Sequence, residues 1–214
     1  MRGLYAILDI EALERRGIAP AAFAERVLAA RPAAIQLRDK RGGARATLAL
    51  LRAVMPLAAA AGVPLFANDR PDLALLAGCD GVHVGQDDLP VALVRSAFPS
   101  LRVGLSTHDA AQVEQACAEA PDYLAVGPIF ATASKENPSP VIGMDGLRAL
   151  VRRARAARPG LPIVAIGGVS LETAGEVGSI VDAVAVIGAL LPEGGLSAVE
   201  ERARALHATI LGER

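Results

Sequence analysis

Eight short apolar runs recur along the chain, and their spacing constrains the fold more than any other feature: "LYAILDI" (4–10), "AIQLR" (34–38), "VPLFAND" (63–69), "GVHVG" (81–85), "RVGLST" (102–107), "YLAVGPIF" (123–130), "PIVAIGGV" (162–169) and "AVAVIGAL" (183–190). Between them lie Ala, Leu, Arg and Glu segments with helical spacing, such as "AAFAERVLAA", "ATLALLRAVMPLAAAA", "GLRALVRRARAA" and "LSAVEERARALHATIL". Continuous apolar strands alternating with helices imply a parallel sheet buried on both faces. Eight such units in 214 residues fit an α/β fold of the (β/α)8 TIM-barrel kind, near the small end of its range. A doubly wound open sheet is the alternative, and eight units without a long insertion favour closure. No linker, low-complexity segment or charge block divides the chain, so residues 1–214 read as a single catalytic barrel domain.

Composition narrows the partners. No apolar run is expected to approach the roughly 18 residues of a membrane span, so no membrane is expected. The chain opens on "GLYAILDI", which already reads as a strand and not as an export leader. Cys79 and Cys117 are too few for a disulfide framework and lack metal-ligand spacing, which fits reduced thiols and a cytoplasmic location. A formal net charge of −1 argues against a nucleic-acid surface. Any anionic partner must then be met locally. Lysine and asparagine are scarce, two of each, so the places where they occur carry information.

In such barrels the site is built at the carboxyl ends of the strands and in the loops that follow. The second strand ends in Gln36, Arg38 and Lys40, which share one face and point to the barrel interior at its rim. The third ends in Asn68 and Asp69, the fourth in Gln86, Asp87 and Asp88, and the fifth in Ser106, Thr107 and His108. An isolated "RDK" would be a solvated loop; here neighbouring strands end the same way. Asp69 and Asp88 terminate adjacent strands, and two carboxylates that close repel unless a cation joins them. Mg²⁺ suits such oxygen ligands, taking one or two protein carboxylates and completing its shell with water and phosphates. Asp88 could instead cap the helix that follows.

Gly167 and Gly168 in "AIGGVS", with Gly188 in "VIGAL", mark the seventh and eighth strand ends, the recurrent phosphate site of these barrels. The segment "TASKENPSPVIG", Thr132 to Gly143, has no periodicity and carries Thr132, Ser134 and the second lysine, Lys135. Loops of this length are commonly lids or binding loops, and a flap over a polyanion is the economical reading. His83, mid-strand, reads as a satisfied interior histidine, and His207, on the last helix, as surface. No serine or cysteine triad assembles.

At these residues the sequence resembles the thiamin phosphate synthase family. The family's "QLRxK", "ND", "DGxHxGQxD", "GxS", "GPIFxTxTK" and "AIGGI" patterns appear here as "QLRDK", "ND", "DGVHVGQDD", "GLS", "GPIFATASK" and "AIGGV", in the same order and spacing. The resemblance implies a transferase joining 4-amino-5-hydroxymethyl-2-methylpyrimidine diphosphate to 4-methyl-5-(2-phosphoethyl)thiazole or its carboxylate form, with release of pyrophosphate and thiamin phosphate. Carried over, Gln36, Arg38, Lys40, Asn68, Ser106 and Lys135 would hold the pyrimidine diphosphate, with Arg38, Ser106 and Lys135 in catalytic roles. Asp69 and Asp88 would hold Mg²⁺, and Thr132, Ser134, Gly168, Ile187 and Gly188 would receive the thiazole phosphate. Three positions depart from the family: Ser134 stands for a usual threonine, Ala131 for a proline and Gly188 for a serine. Partners are then small-molecule substrates, with a homo-oligomer left open. A sister family of thiazole tautomerases, using a rim histidine such as His108, and a noncatalytic phosphate-ligand binder are the rival readings.

Overall fold

The computed structural model describes residues 1–132, 139–191 and 193–213. Its strands are β1 (Gly3–Asp9), β2 (Ala34–Arg38), β3 (Leu65–Asn68), β4 (Gly81–Val84), β5 (Arg102–Thr107), β6 (Tyr123–Val126), β7 (Ile163–Ile166) and β8 (Ala183–Val186). They pair in parallel and in sequence order, and β1 also pairs with β8, so the sheet closes. The open doubly wound alternative is excluded. Each strand coincides with one of the apolar runs, β1 starting one residue earlier at Gly3, as expected for strands covered on both faces.

The pleat sorts the side chains. Leu4, Ala6 and Leu8 of β1, with Ile35 and Leu37 of β2, join a large core shared with the surrounding helices. Tyr5, Ile7, Ala34, Phe66, Tyr123, Ala125 and Val164 form a second cluster inside the barrel. Alternation of period two therefore assigns one residue set to each face. Inside, Phe66 and Tyr123 meet edge to face at 5.4 Å, and Tyr5 lies 5.7 Å from Tyr123, so three aromatic rings fill the barrel at mid-height. Tyr123 occupies space that only a glycine on the neighbouring strand leaves: a Cβ on Gly104 would lie 2.0 Å from its ring.

The described helices are α1 (Ile10–Glu14), α2 (Pro20–Leu28), α3 (Ala44–Ala61), α4 (Pro71–Ala77), α5 (Val91–Ala97), α6 (Ala110–Glu119), α7 (Gly143–Ala157), α8 (Leu171–Gly178) and α9 (Val199–Leu211). By length and composition α3 is apolar enough to cross a membrane, which overturns the expectation that no stretch reaches that size. It packs against α2, α4 and β3 in the outer ring. A second correction concerns His207: its Nδ1 accepts from the Leu4 N–H at 3.2 Å, so it caps the start of β1 and is not a bystander on the surface.

The end of the barrel opposite the strand C-termini is stapled by a repeated device. Asp80, Asp122 and Asp182, each just before an even-numbered strand, accept the N–H of Leu65, Val103 and Ile163 at 2.8 to 2.9 Å. Side chains there hold the backbone together, which leaves chemistry to the opposite rim.

Candidate active site

A cavity of about 990 Å³ opens at the C-terminal ends of the strands, and every site residue expected from the sequence that lies among the described residues lines it. Ser134 and Lys135 lie outside the described residues.

Its charged wall begins at β1 and β2. Arg38 donates to Asp9, directly across the parallel pair, and Asp9 also N-caps α1 by accepting the Ala12 N–H at 2.9 Å. Asp9 is buried, so a carboxylate fixes the guanidinium from behind. The next turn is organised by Asp39, which accepts from the Gly42 N–H at 2.7 Å and the Thr47 hydroxyl at 2.8 Å. Lys40 is thereby left to the rim, where it donates to Asp69.

Asp69 sits in the left-handed backbone region at φ +60, a conformation that aspartate tolerates better than most residues, and its N–H donates to the His83 carbonyl at 2.8 Å. The Asp88 Oδ2 accepts the Gly85 N–H at 2.7 Å, whereas α5 begins only at Val91 and has no side-chain cap. Helix capping is therefore not the role of Asp88. Its carboxyl is held above the usual carboxylate range, chiefly by burial and further by the Asp69 carboxylate, against the Gly85 N–H and Lys40, which favour the charged form. Two carboxylates are thus brought together at the ends of β3 and β4. Among the described residues no group of three His, Cys, Asp or Glu side chains could hold a metal ion. Two carboxylates side by side are a donor set that would suit Mg²⁺ bound jointly with phosphates and water. Beside them the Asn68 Nδ2 is the one buried side-chain nitrogen or oxygen without a hydrogen-bond partner among the described residues. Asn68 lines the cavity, so this donor is within reach of an acceptor there.

The cavity floor is a continuous chain of side chains. The Gln36 amide nitrogen contacts the Tyr5 hydroxyl at 2.9 Å, Tyr5 the Tyr123 hydroxyl at 2.8 Å, Tyr123 the His83 Nδ1 at 2.8 Å, and the His83 Nε2 the Ser106 hydroxyl at 2.8 Å. Burial pushes both phenols above their ordinary range. It also lowers His83 to about 4, so this imidazole is neutral at physiological pH. His83 is indeed a satisfied interior histidine. The sequence reading missed its connection to Ser106, along with Asp9, Tyr5 and Tyr123. His108 stands at the rim with its Nδ1 2.6 Å from the Gly127 carbonyl.

On the far side, Gly167 and Gly168 turn the chain after β7 with φ of +103 and +66. A Cβ on Gly168 would lie 2.4 Å from the Ala131 carbonyl, so this glycine lets the β6 and β7 loops touch. Gly188 begins a short 3₁₀ turn after β8 in open space.

A closed barrel whose carboxyl rim gathers cations, paired carboxylates and glycine turns defines a (β/α)8 barrel enzyme. Residues 4–190 match the family described as thiamine monophosphate synthase. The chain belongs to that family, whose members are transferases. It is 38% identical over 204 residues to the thiamine-phosphate synthase of Chloroflexus aurantiacus, covering 95% of this chain and 91% of the relative. Against the thiamine-phosphate synthase of Koribacter versatilis it is 44% identical over 199 residues, covering 88% of each. The solved thiamine phosphate pyrophosphorylase from Pyrococcus furiosus superposes with a TM-score of 0.83 at 29% identity, covering 98% of this chain and 96% of that one.

Proposed function

We propose that the chain joins the aminopyrimidine diphosphate to the thiazole phosphate in an Mg²⁺-dependent substitution, forming thiamin phosphate and releasing pyrophosphate. The observation that carries this reading is the meeting of Asp69 and Asp88 on adjacent strand ends beside Lys40. Arg38 and Lys40, with Lys135 outside the described residues, cradle the diphosphate. Mg²⁺ on Asp69 and Asp88 would supply charge neutralisation for the leaving group. Breaking the C–O bond places negative charge on the departing pyrophosphate and positive charge on the pyrimidine methylene. Fixed cations therefore stabilise the transition state more than the ground state. Asn68 donates its free N–H to the diphosphate. Gln36 and Ser106 hold the pyrimidine, whose exocyclic amine spreads the cation, and Thr132, Ser134 and the amides around Gly168, Ile187 and Gly188 hold the thiazole phosphate for attack by its ring nitrogen. No protein nucleophile is needed.

The chain is read as one catalytic domain, 1–214, acting in the cytoplasm on free small molecules, without nucleic acid or membrane. The test mixes purified protein with both substrates across an Mg²⁺ titration and measures both products. Equal amounts of pyrophosphate and thiamin phosphate are expected. Thiazole isomerisation without pyrophosphate would favour the tautomerase reading through His108, and no turnover of either kind would favour a binding protein.

A further inference from the structure

The chain of side chains across the cavity floor has a direction. The Gln36 amide nitrogen carries hydrogens and no available lone pair, so it donates to Tyr5. Among the described residues the Tyr5 oxygen has Gln36 and Tyr123 as its hydrogen-bond partners, and Tyr5, at the cavity floor, is 1% exposed within the apolar cluster of the barrel interior. If Tyr123 donated to Tyr5, the Tyr5 hydrogen would be buried without an acceptor, a state that proteins avoid. Tyr5 therefore donates to Tyr123. The Tyr123 hydrogen is then free for the His83 Nδ1, which accepts it. A neutral imidazole that accepts at Nδ1 carries its hydrogen at Nε2, and Nε2 faces the Ser106 oxygen. With Ser106 accepting from His83, its own hydrogen is left for the cavity.

We propose that Tyr5, Tyr123 and His83 are positioning residues: their one-way hydrogen-bond chain from Gln36 to Ser106 fixes His83 as the Nε2–H tautomer and makes Ser106 a donor to the bound ring. None of the three need touch a reacting atom. The floor then offers a donor at Ser106 and, with its nitrogen engaged by Tyr5, a carbonyl acceptor at Gln36. The matching ligand is a heteroaromatic ring with a nitrogen lone pair and an exocyclic amine, an identification that rests on the synthase reading. An oxo group in place of the amine would set a carbonyl against the Gln36 carbonyl, and such a ring is rejected because buried polar groups would go unpaired.

The experiment is nitrogen-15 NMR of histidine-labelled, ligand-free protein at neutral pH. The chain has three histidines, and His83→Gln assigns the His83 signals by their loss. The expected result is an unprotonated Nδ1 and a protonated Nε2 for His83; the reverse, or an imidazolium, overturns the proposal. Tyr123→Phe removes the donor to Nδ1. It should give mixed His83 tautomers and raise KM for the pyrimidine diphosphate about tenfold, the scale of one lost hydrogen bond, with KM for the thiazole phosphate unchanged. Unchanged His83 signals, or equal changes in both KM values, overturn it. If the phenylalanine variant does not fold, the wild-type spectrum decides. That spectrum needs no substrate, so an inactive protein with the expected tautomer would overturn the synthase reading and leave the floor polarity standing.

Discussion

Arg38 and Asp9 are direct partners across β1 and β2, and their side chains form an ion pair in which Asp9 is only 4% exposed. Because the same carboxylate caps α1, it ties the aim of the guanidinium proposed to hold the diphosphate to the barrel wall. Asp9→Asn keeps an acceptor for the cap and loses the charge. Pyrophosphate release should fall at least tenfold, while stability drops by about 1–3 kcal/mol for the broken charged hydrogen bond. Thermal melting beside a turnover assay checks this, and normal turnover would show that Arg38 does not need the anchor.

Asp88→Asn is the sharpest test of the metal reading. Asparagine can still accept the Gly85 N–H, and it relieves the repulsion from Asp69. Melting of the metal-free protein should be unchanged or slightly higher, and pyrophosphate release should fall sharply and recover only in part at high Mg²⁺. Chelator should stop the native enzyme. Activity indifferent to Mg²⁺ would sink the assignment.

His83 gives stability a pH dependence of predictable sign. Its value is lowered from 6.5 to about 4, chiefly by burial, with Asp88 opposing and Lys40 adding to the effect. Below 6.5 the unfolded chain takes up a proton that the folded one refuses, so stability falls as pH drops from 6.5 toward 4, by at most about 1.4 kcal/mol per pH unit. Stability from urea melts should change more steeply with pH over that interval for the native protein than for His83→Gln. Parallel curves would mean that His83 titrates freely when folded.

Gly168 and Gly188 should respond differently to the same added methyl. Gly168→Ala forces a side chain into a left-handed φ and against the Ala131 carbonyl, so both melting temperature and thiazole phosphate affinity should fall. Gly188→Ala meets nothing within 4 Å and should change stability by less than about 0.5 kcal/mol. Thermal melts and KM values for each substrate separate the two, and equal behaviour would contradict the roles drawn for these loops.

How far the sequence speaks depends on the range of the interaction. The eight strands are legible because burial on both faces makes each a local apolar run, and Gln36 and Arg38 are legible because alternation points them inward. Asp9 was not, although a carboxylate closing an apolar run at the carboxyl end of a strand was its signal. The link from Tyr5 through Tyr123 to His83 joins residues 118 and 40 positions apart, and only barrel closure sets them side by side. Scarcity was the available hint: the chain has two tyrosines, and both lie in strands. Capping at Asp88 is an alternative the sequence leaves open, because an aspartate before a helix is ambiguous until its acceptor geometry is seen.

The aromatic layer of Tyr5, Phe66 and Tyr123 makes the barrel a cup and not a pipe. A cup has one mouth. Under the proposed function a ring held at Gln36 and Ser106 would enter before a thiazole phosphate seated nearer the rim, an order that the aromatic layer would impose without itself taking part in the chemistry.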